Sequence, residues 1–118
     1  VIKRAGAFAN SLLFVDGLLT SDPQYLDSSF IRDYKQSFNE EAGIFEIQGY
    51  DSGLIVRQLI SQGSSNREAL GSALSRLKNF PGVLGDLSMS EDREILRPLN
   101  LLSLQNGGIA PFKASNIR

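Results

Sequence analysis

The 118-residue sequence contains no cysteine and no histidine. The first absence excludes disulfides, thiolate catalysis and cysteine metal sites within it, and leaves the compartment open. The second removes Ser-His and Cys-His nucleophilic machinery and the usual zinc sites. An excess of one charge is missing too. Twelve Lys and Arg stand against thirteen Asp and Glu, for a formal net charge of −1. No basic run exists, and Lys3-Arg4 is the densest basic patch. Nothing electrostatic points to DNA, RNA or anionic lipid as a partner. Apolar runs such as Leu12 to Val15 are far too short to span a bilayer. No signal peptide is visible. The chain opens on VIKRAGAFAN without a methionine, the start expected of a processed protein or an excised fragment.

What is present is enough for a core. The chain is 42% hydrophobic and has the length of one domain, or of part of a larger one. SLLFV, residues 11–15, is a short apolar run closed by turn residues, the pattern of a strand buried on both faces as in parallel sheets. DPQYLDSS reads as a loop ending in a helix cap, Asp27 or Ser28. A first helix is expected over Ser29 to Phe38, where Phe30, Ile31, Tyr34 and Phe38 share one side. A second is expected over Gly43 to Gln62. Ile47, Tyr50, Leu54 and Asp51 lie along one stripe of it, and Ile55, Leu59, Val56 and Ile60 along another. A helix apolar around so much of its circumference reads as the central, most buried one, with Gly63 as its left-handed stop.

A third helix follows. Ser65 with Glu68 matches a capping box, and Leu70, Ala73, Leu74 and Leu77 fall at i, i+3, i+4, i+7 until Phe80-Pro81-Gly82 halts the pattern. The remainder reads as β structure, with a strand over Leu99 to Leu104 and a hairpin turn at Asn106-Gly107. Residues 1–10 read as weak helix or loop, and Lys113 to Arg118 as a loose tail. The order is strand, three helices, then strands, in the α/β class.

Chemistry-bearing candidates are few. Glu40-Glu41 and Glu91-Asp92 are adjacent acids without ligand spacing or a supporting histidine, and read as solvated turns. Gly82-Val83-Leu84-Gly85 and Asn106-Gly107-Gly108 lack the context of phosphate loops. The serines of SQGSSN read as caps and linker. Catalytic residues, metal ligands and cofactors are therefore all expected to be none.

Three stretches together resemble a known family. AGAFANSLLFVDGLLTSDPQ resembles its AG-x-x-A-x-G strand. FIRDYKQSFNEEAGIFEIQGYDSGLIVRQLI resembles its pair of helices ending in the YDA motif. SNREALGSALSRLKNFPGVLGDLSMSEDREILRPLNLLSLQNGG resembles its next helix, its F-x-G-x-x-G segment, its F-D-x-x-G-D turn and its last strand. The family is that of the type 1 periplasmic substrate-binding proteins of ABC transporters, the leucine/isoleucine/valine-binding group. The match is to its carboxy-terminal third and covers nearly the whole chain. Two features depart from the pattern: the turn at Ser88 to Arg93 lacks its glycine, and the proline usual near Ile44 is absent.

The resemblance implies a two-lobed fold that closes on a solute by a hinge. Residues 1–20 would supply a strand of the second lobe, 27–80 helices of the first, and 83–112 strands. It implies an amino acid or related small molecule as ligand, an ABC permease as partner and an extracytoplasmic place with a possible lipid anchor. It also implies binding without catalysis. Ile47 and Tyr50 become candidate ligand contacts, although plain packing explains aromatic and aliphatic residues at helical spacing equally well. Gly49 and Gly53 each cost roughly 1 kcal/mol in a helix interior. Close approach of this helix to a sheet of the first lobe would explain them. Asp51 would hydrogen-bond to backbone in a neighbouring segment. With most of the family's amino-acid clamp lying in upstream segments, the chain alone is expected to bind poorly and to self-associate. The alternative is a regulatory cell-envelope lipoprotein of the same fold that binds a protein partner.

Overall fold

The computed structural model describes residues 12–112. The readings of residues 1–10 and of Lys113 to Arg118, and the Ser11 start of the first strand, lie outside the described residues. The chain divides into two compact units. One is Leu18–Pro98, and the other joins Val1–Gly17 to Leu99–Arg118.

In the Leu18–Pro98 unit, α1 spans Pro23–Leu26, inside the stretch expected to be loop. Its cause is local. The Asp22 carboxylate accepts a hydrogen bond from the Gln24 N–H at 2.9 Å, and Pro23 brings a preset φ to the first helical position. Helix α2 is Ser29–Phe38, as the spacing predicts. Ser28 Oγ accepts from the Ile31 N–H, and Asn39 ends the helix in the left-handed region at φ 54°. Helix α3 is Ile44–Ser61, followed by Gly63 at φ 103°. The Gly43 N–H donates to Glu46 Oε2 at 2.8 Å, which satisfies a backbone donor at the helix start. Helix α4 is Arg67–Ser75 and stops a turn earlier than the apolar spacing implies. Its cap is Asn66, whose Oδ1 accepts from the Ala69 N–H at 2.9 Å, so the expected Ser65–Glu68 box does not form.

Three short strands complete this unit: β2 (Phe80–Gly82), β3 (Gly85–Met89) and β4 (Ile95–Leu96), an antiparallel sheet in the order β2-β3-β4. The residues expected only to halt a helix thus form a strand. Helix α3 organises the core around them. Its buried stripe is Ile47, Asp51, Ile55 and Leu59, four residues apart each time. Ile55 and Leu59 pack with Leu77, Phe80 and Leu87. Ile47 packs with Tyr25, Ile31 and Ala42, and the Tyr25 hydroxyl donates to the Ala42 carbonyl at 2.9 Å.

The expectation that α3 is buried on most sides is corrected. Phe45 is 80% exposed, and Val56 and Ile60 are exposed as well. Within this chain nothing approaches α3 closely at Gly49 or Gly53, where a Cβ would meet nothing within 4 Å.

The second unit holds β1 (Leu13–Asp16), β5 (Asn100–Gln105) and β6 (Gly108–Pro111), in the order β1-β5-β6. Leu13 faces Ser103 and Val15 faces Leu101 across an antiparallel pair. The reading of this strand as parallel-type and buried on both faces is therefore wrong. Leu13 and Val15 are exposed, and the buried residues are Leu102, Ser103 and Leu104 of the middle strand. An apolar run alone does not report which faces are covered. The β5–β6 hairpin forms as predicted. Asn106 and Gly107 both take positive φ, 49° and 79°, between the paired Gln105 and Gly108.

Candidate functional site

The sequence YD at 50–51 puts two side chains about 100° apart on helix α3. The structure uses them differently. Asp51 points inward at 3% exposure, while Tyr50 is 40% exposed at a rim. The Tyr50 ring stacks on Phe30 of α2, with centroids 4.1 Å apart and planes 18° from parallel. Phe30 continues to Tyr34 and Tyr34 to Phe38 as tilted aromatic pairs along α2.

Beside the stacked pair lies an open cleft of about 320 Å³. Phe30, Tyr50 and Leu54 form its apolar side. Gln24, Asp27 and Ser28, at the junction of α1 and α2, supply polar groups. Pro81 and Gly82 at the end of β2, and Val83 just after it, line it as well. The hairpin is tight at its last pair: a Cβ on Gly82 would come within 2.9 Å of the Gly85 carbonyl oxygen.

Asp51 reaches the same segment from inside. Its Oδ1 accepts a hydrogen bond from the Val83 N–H at 3.0 Å, across 32 positions of sequence. The bond to backbone in a neighbouring segment expected for Asp51 is thus present. Burial raises the Asp51 pKa above the usual value of 3.8, against the Val83 hydrogen bond and the positive charge of Arg97, which both lower it. Tyr25 is likewise pushed above its usual value by burial, with the Glu41 charge adding and the Lys35 charge opposing.

Ile47 is fully buried among Tyr25, Ile31 and Ala42, so its surface is covered by the chain's own residues. Tyr50 lines the cleft. The structure does not bring the two candidates into one surface. The partners it gives Tyr50 were absent from the sequence reading as site residues. Phe30 is legible as an apolar helical position, but nothing in its spacing ties it to a residue twenty positions on. The acid pairs are where turns put them. Glu41 forms an ion pair with Lys35 at the surface, and Glu91-Asp92 is exposed in the β3–β4 connection. Among the described residues, no group of three or more His, Cys, Asp or Glu is placed to hold a metal ion.

No protein-family model matches the sequence, and no curated protein sequence matches it. Solved structures do. The leucine-binding protein LivK of Thermotoga maritima is similar at a TM-score of 0.64 and 22% identity, over 95% of this chain and 33% of that one. A putative branched-chain amino acid ABC transporter protein of Rhodospirillum rubrum is similar at a TM-score of 0.75 and 22% identity, over 94% of this chain and 33% of that one. The branched-chain amino acid transporter substrate-binding protein LivJ of Streptococcus pneumoniae, solved with isoleucine, is similar at 0.65 and 25% identity, over 92% of this chain and 31% of that one. The chain has the type 1 periplasmic binding protein fold, and spans about a third of the length of these structures.

Proposed function

We propose that the chain is the carboxy-terminal third of a two-lobed receptor that captures an amino acid or related small molecule for an ABC transporter. The observation that carries this reading is the likeness of fold to receptors of that kind, across almost all of this chain. The division into two units is in line with the assignment of the first strand to one lobe and of residues 27–80 to the other, with the boundary after Gly17 and not after residue 20. The unit boundary at Pro98 splits the expected 83–112 strands, leaving β2 to β4 with the helices and β5 to β6 with β1.

In this reading the work is binding and closure, with no bond made or broken. Tyr50 offers a ring face to an apolar side chain, and Phe30 holds that ring by stacking. Ile47 contributes from behind, as part of the packing that fixes α3. The protein works outside the cytoplasm, with a permease as partner. Residues beyond this chain complete the grip on the solute, so the chain alone binds weakly.

The test is calorimetric titration of the native polypeptide that carries this segment, with leucine, isoleucine, valine and a panel of other amino acids. Saturable binding of at least one is expected. Tyr50→Ala should weaken it about tenfold, the scale of a lost aromatic contact. Absence of binding across the panel contradicts the receptor reading for this ligand class.

A further inference from the structure

The cleft has two walls that belong to different parts of the chain. Tyr50 and Leu54 come from α3, and Pro81, Gly82 and Val83 from the end of β2 and the start of the turn after it. This segment has little slack of its own, because a Cβ on Gly82 would come within 3.0 Å of the Gly85 carbonyl oxygen and the Leu87 side chain. Its placement relative to α3 therefore rests on what joins the two. Part of that is packing, with Ile55 against Phe80 and Leu87. The directional part is the Asp51 carboxylate, which takes the Val83 N–H at 3.0 Å. Asp51 is also the one polar residue on a stripe whose other members are Ile47, Ile55 and Leu59. An aliphatic residue there would continue the core without the cost of burying a carboxylate.

We infer that Asp51 is a positioning residue for the cleft: by holding Val83 it sets the Pro81–Val83 wall at a fixed place opposite Tyr50. The neighbouring residues of the YD pair then share one task. Tyr50 presents the contact surface, and Asp51, one residue on, fixes the opposing wall from within the core. Both sit on the same rigid helix, so the two walls are referred to one element. Arg97 is the charged group whose field reaches Asp51, and it favours the ionised form that accepts the bond most strongly.

This inference borrows from the receptor reading only what fills the cleft, and its test uses no solute, so the two can fail separately. The native polypeptide is labelled with ¹⁵N-valine and ring-¹³C-tyrosine for NMR. Asp51→Asn keeps an acceptor oxygen in place. It should leave the Val83 amide protected from exchange and the Tyr50 ring signals where they are in the wild type. Asp51→Leu keeps the branched shape, with methyl groups in place of the oxygens, and removes the acceptor. It should lower Val83 protection about tenfold or more and shift the Tyr50 ring signals, with amides of α2 and α4 unchanged. Tyr50 signals that stay at their wild-type positions in Asp51→Leu overturn the inference, and so does an Asp51→Asn protein that behaves like Asp51→Leu.

Should Asp51→Leu not fold, Asp51→Ala decides, since it removes the acceptor without adding bulk. In it the Val83 amide should lose protection from exchange at constant pH and the Tyr50 ring signals should move. A Val83 amide that keeps its wild-type protection shows that the carboxylate is not what holds it. Tyr50 signals that stay fixed while Val83 loosens show that the wall is set by something else. Either result overturns the inference.

Discussion

At the scale of single residues, Asp51 and the glycines of α3 pull stability in predictable directions. Burial raises the pKa of Asp51, so the folded state binds its proton more tightly than the unfolded chain does. The stabilising contribution of this group is therefore fully present below the unfolded value of 3.8. It is lost as pH rises through the higher folded value. Asp51→Asn lacks this dependence while keeping an acceptor for the Val83 N–H. The variant should lie within about 1 kcal/mol of wild type at neutral pH. As pH falls toward the ordinary Asp range, the difference should move in favour of wild type, as read by urea unfolding at several pH values. Gly49 and Gly53 are exposed helix-interior positions with open space at the Cβ. Gly49→Ala and Gly53→Ala should each raise stability by roughly 0.5–1 kcal/mol, from helix propensity alone. A loss of stability would mean that these positions face something close in the native protein. Gly82→Ala should do the opposite, because its Cβ would press on the Gly85 carbonyl.

At the scale of elements, local chemistry was legible where a single signal had no rival. The Asn106-Gly107 turn and the α2 boundaries Ser29 and Phe38 are such cases. At the start of α4 the expected cap was Ser65, and its neighbour Asn66 takes the role instead. Asn66→Ala should accordingly cost about 1 kcal/mol, and Ser65→Ala little, by thermal or urea unfolding. Helix α3 shows the harder limit. Periodicity offered two apolar stripes, and only tertiary packing selected Ile47, Ile55 and Leu59 over Val56 and Ile60. The same limit hid the cleft. Tyr50 was visible as a candidate, but its stacking on Phe30 and the cleft wall at Pro81 to Val83 depend on contacts between segments far apart in sequence. The turn between β3 and β4 was short of its expected glycine, and Arg93 takes the positive φ there instead, at 65°.

At the scale of the whole molecule, the exposed apolar surface is the leading fact. Phe45, Val56 and Ile60 stand out of one unit, and Leu13, Val15 and Leu101 out of the other. A second apolar face on a helix is the mark of an element that is covered in its working context. The 118-residue chain taken alone should therefore associate with itself at micromolar concentration, and sedimentation showing a strict monomer would count against this. The central claim, that the segment is about a third of a two-lobed solute receptor, has a more direct test. It is the intact mass of the native polypeptide captured through this segment. The account predicts about 40 kDa, three times the 12.9 kDa of the chain and the scale of the structures it resembles. A native mass near 12.9 kDa would contradict it, leaving a stand-alone module with no second lobe to close over a solute.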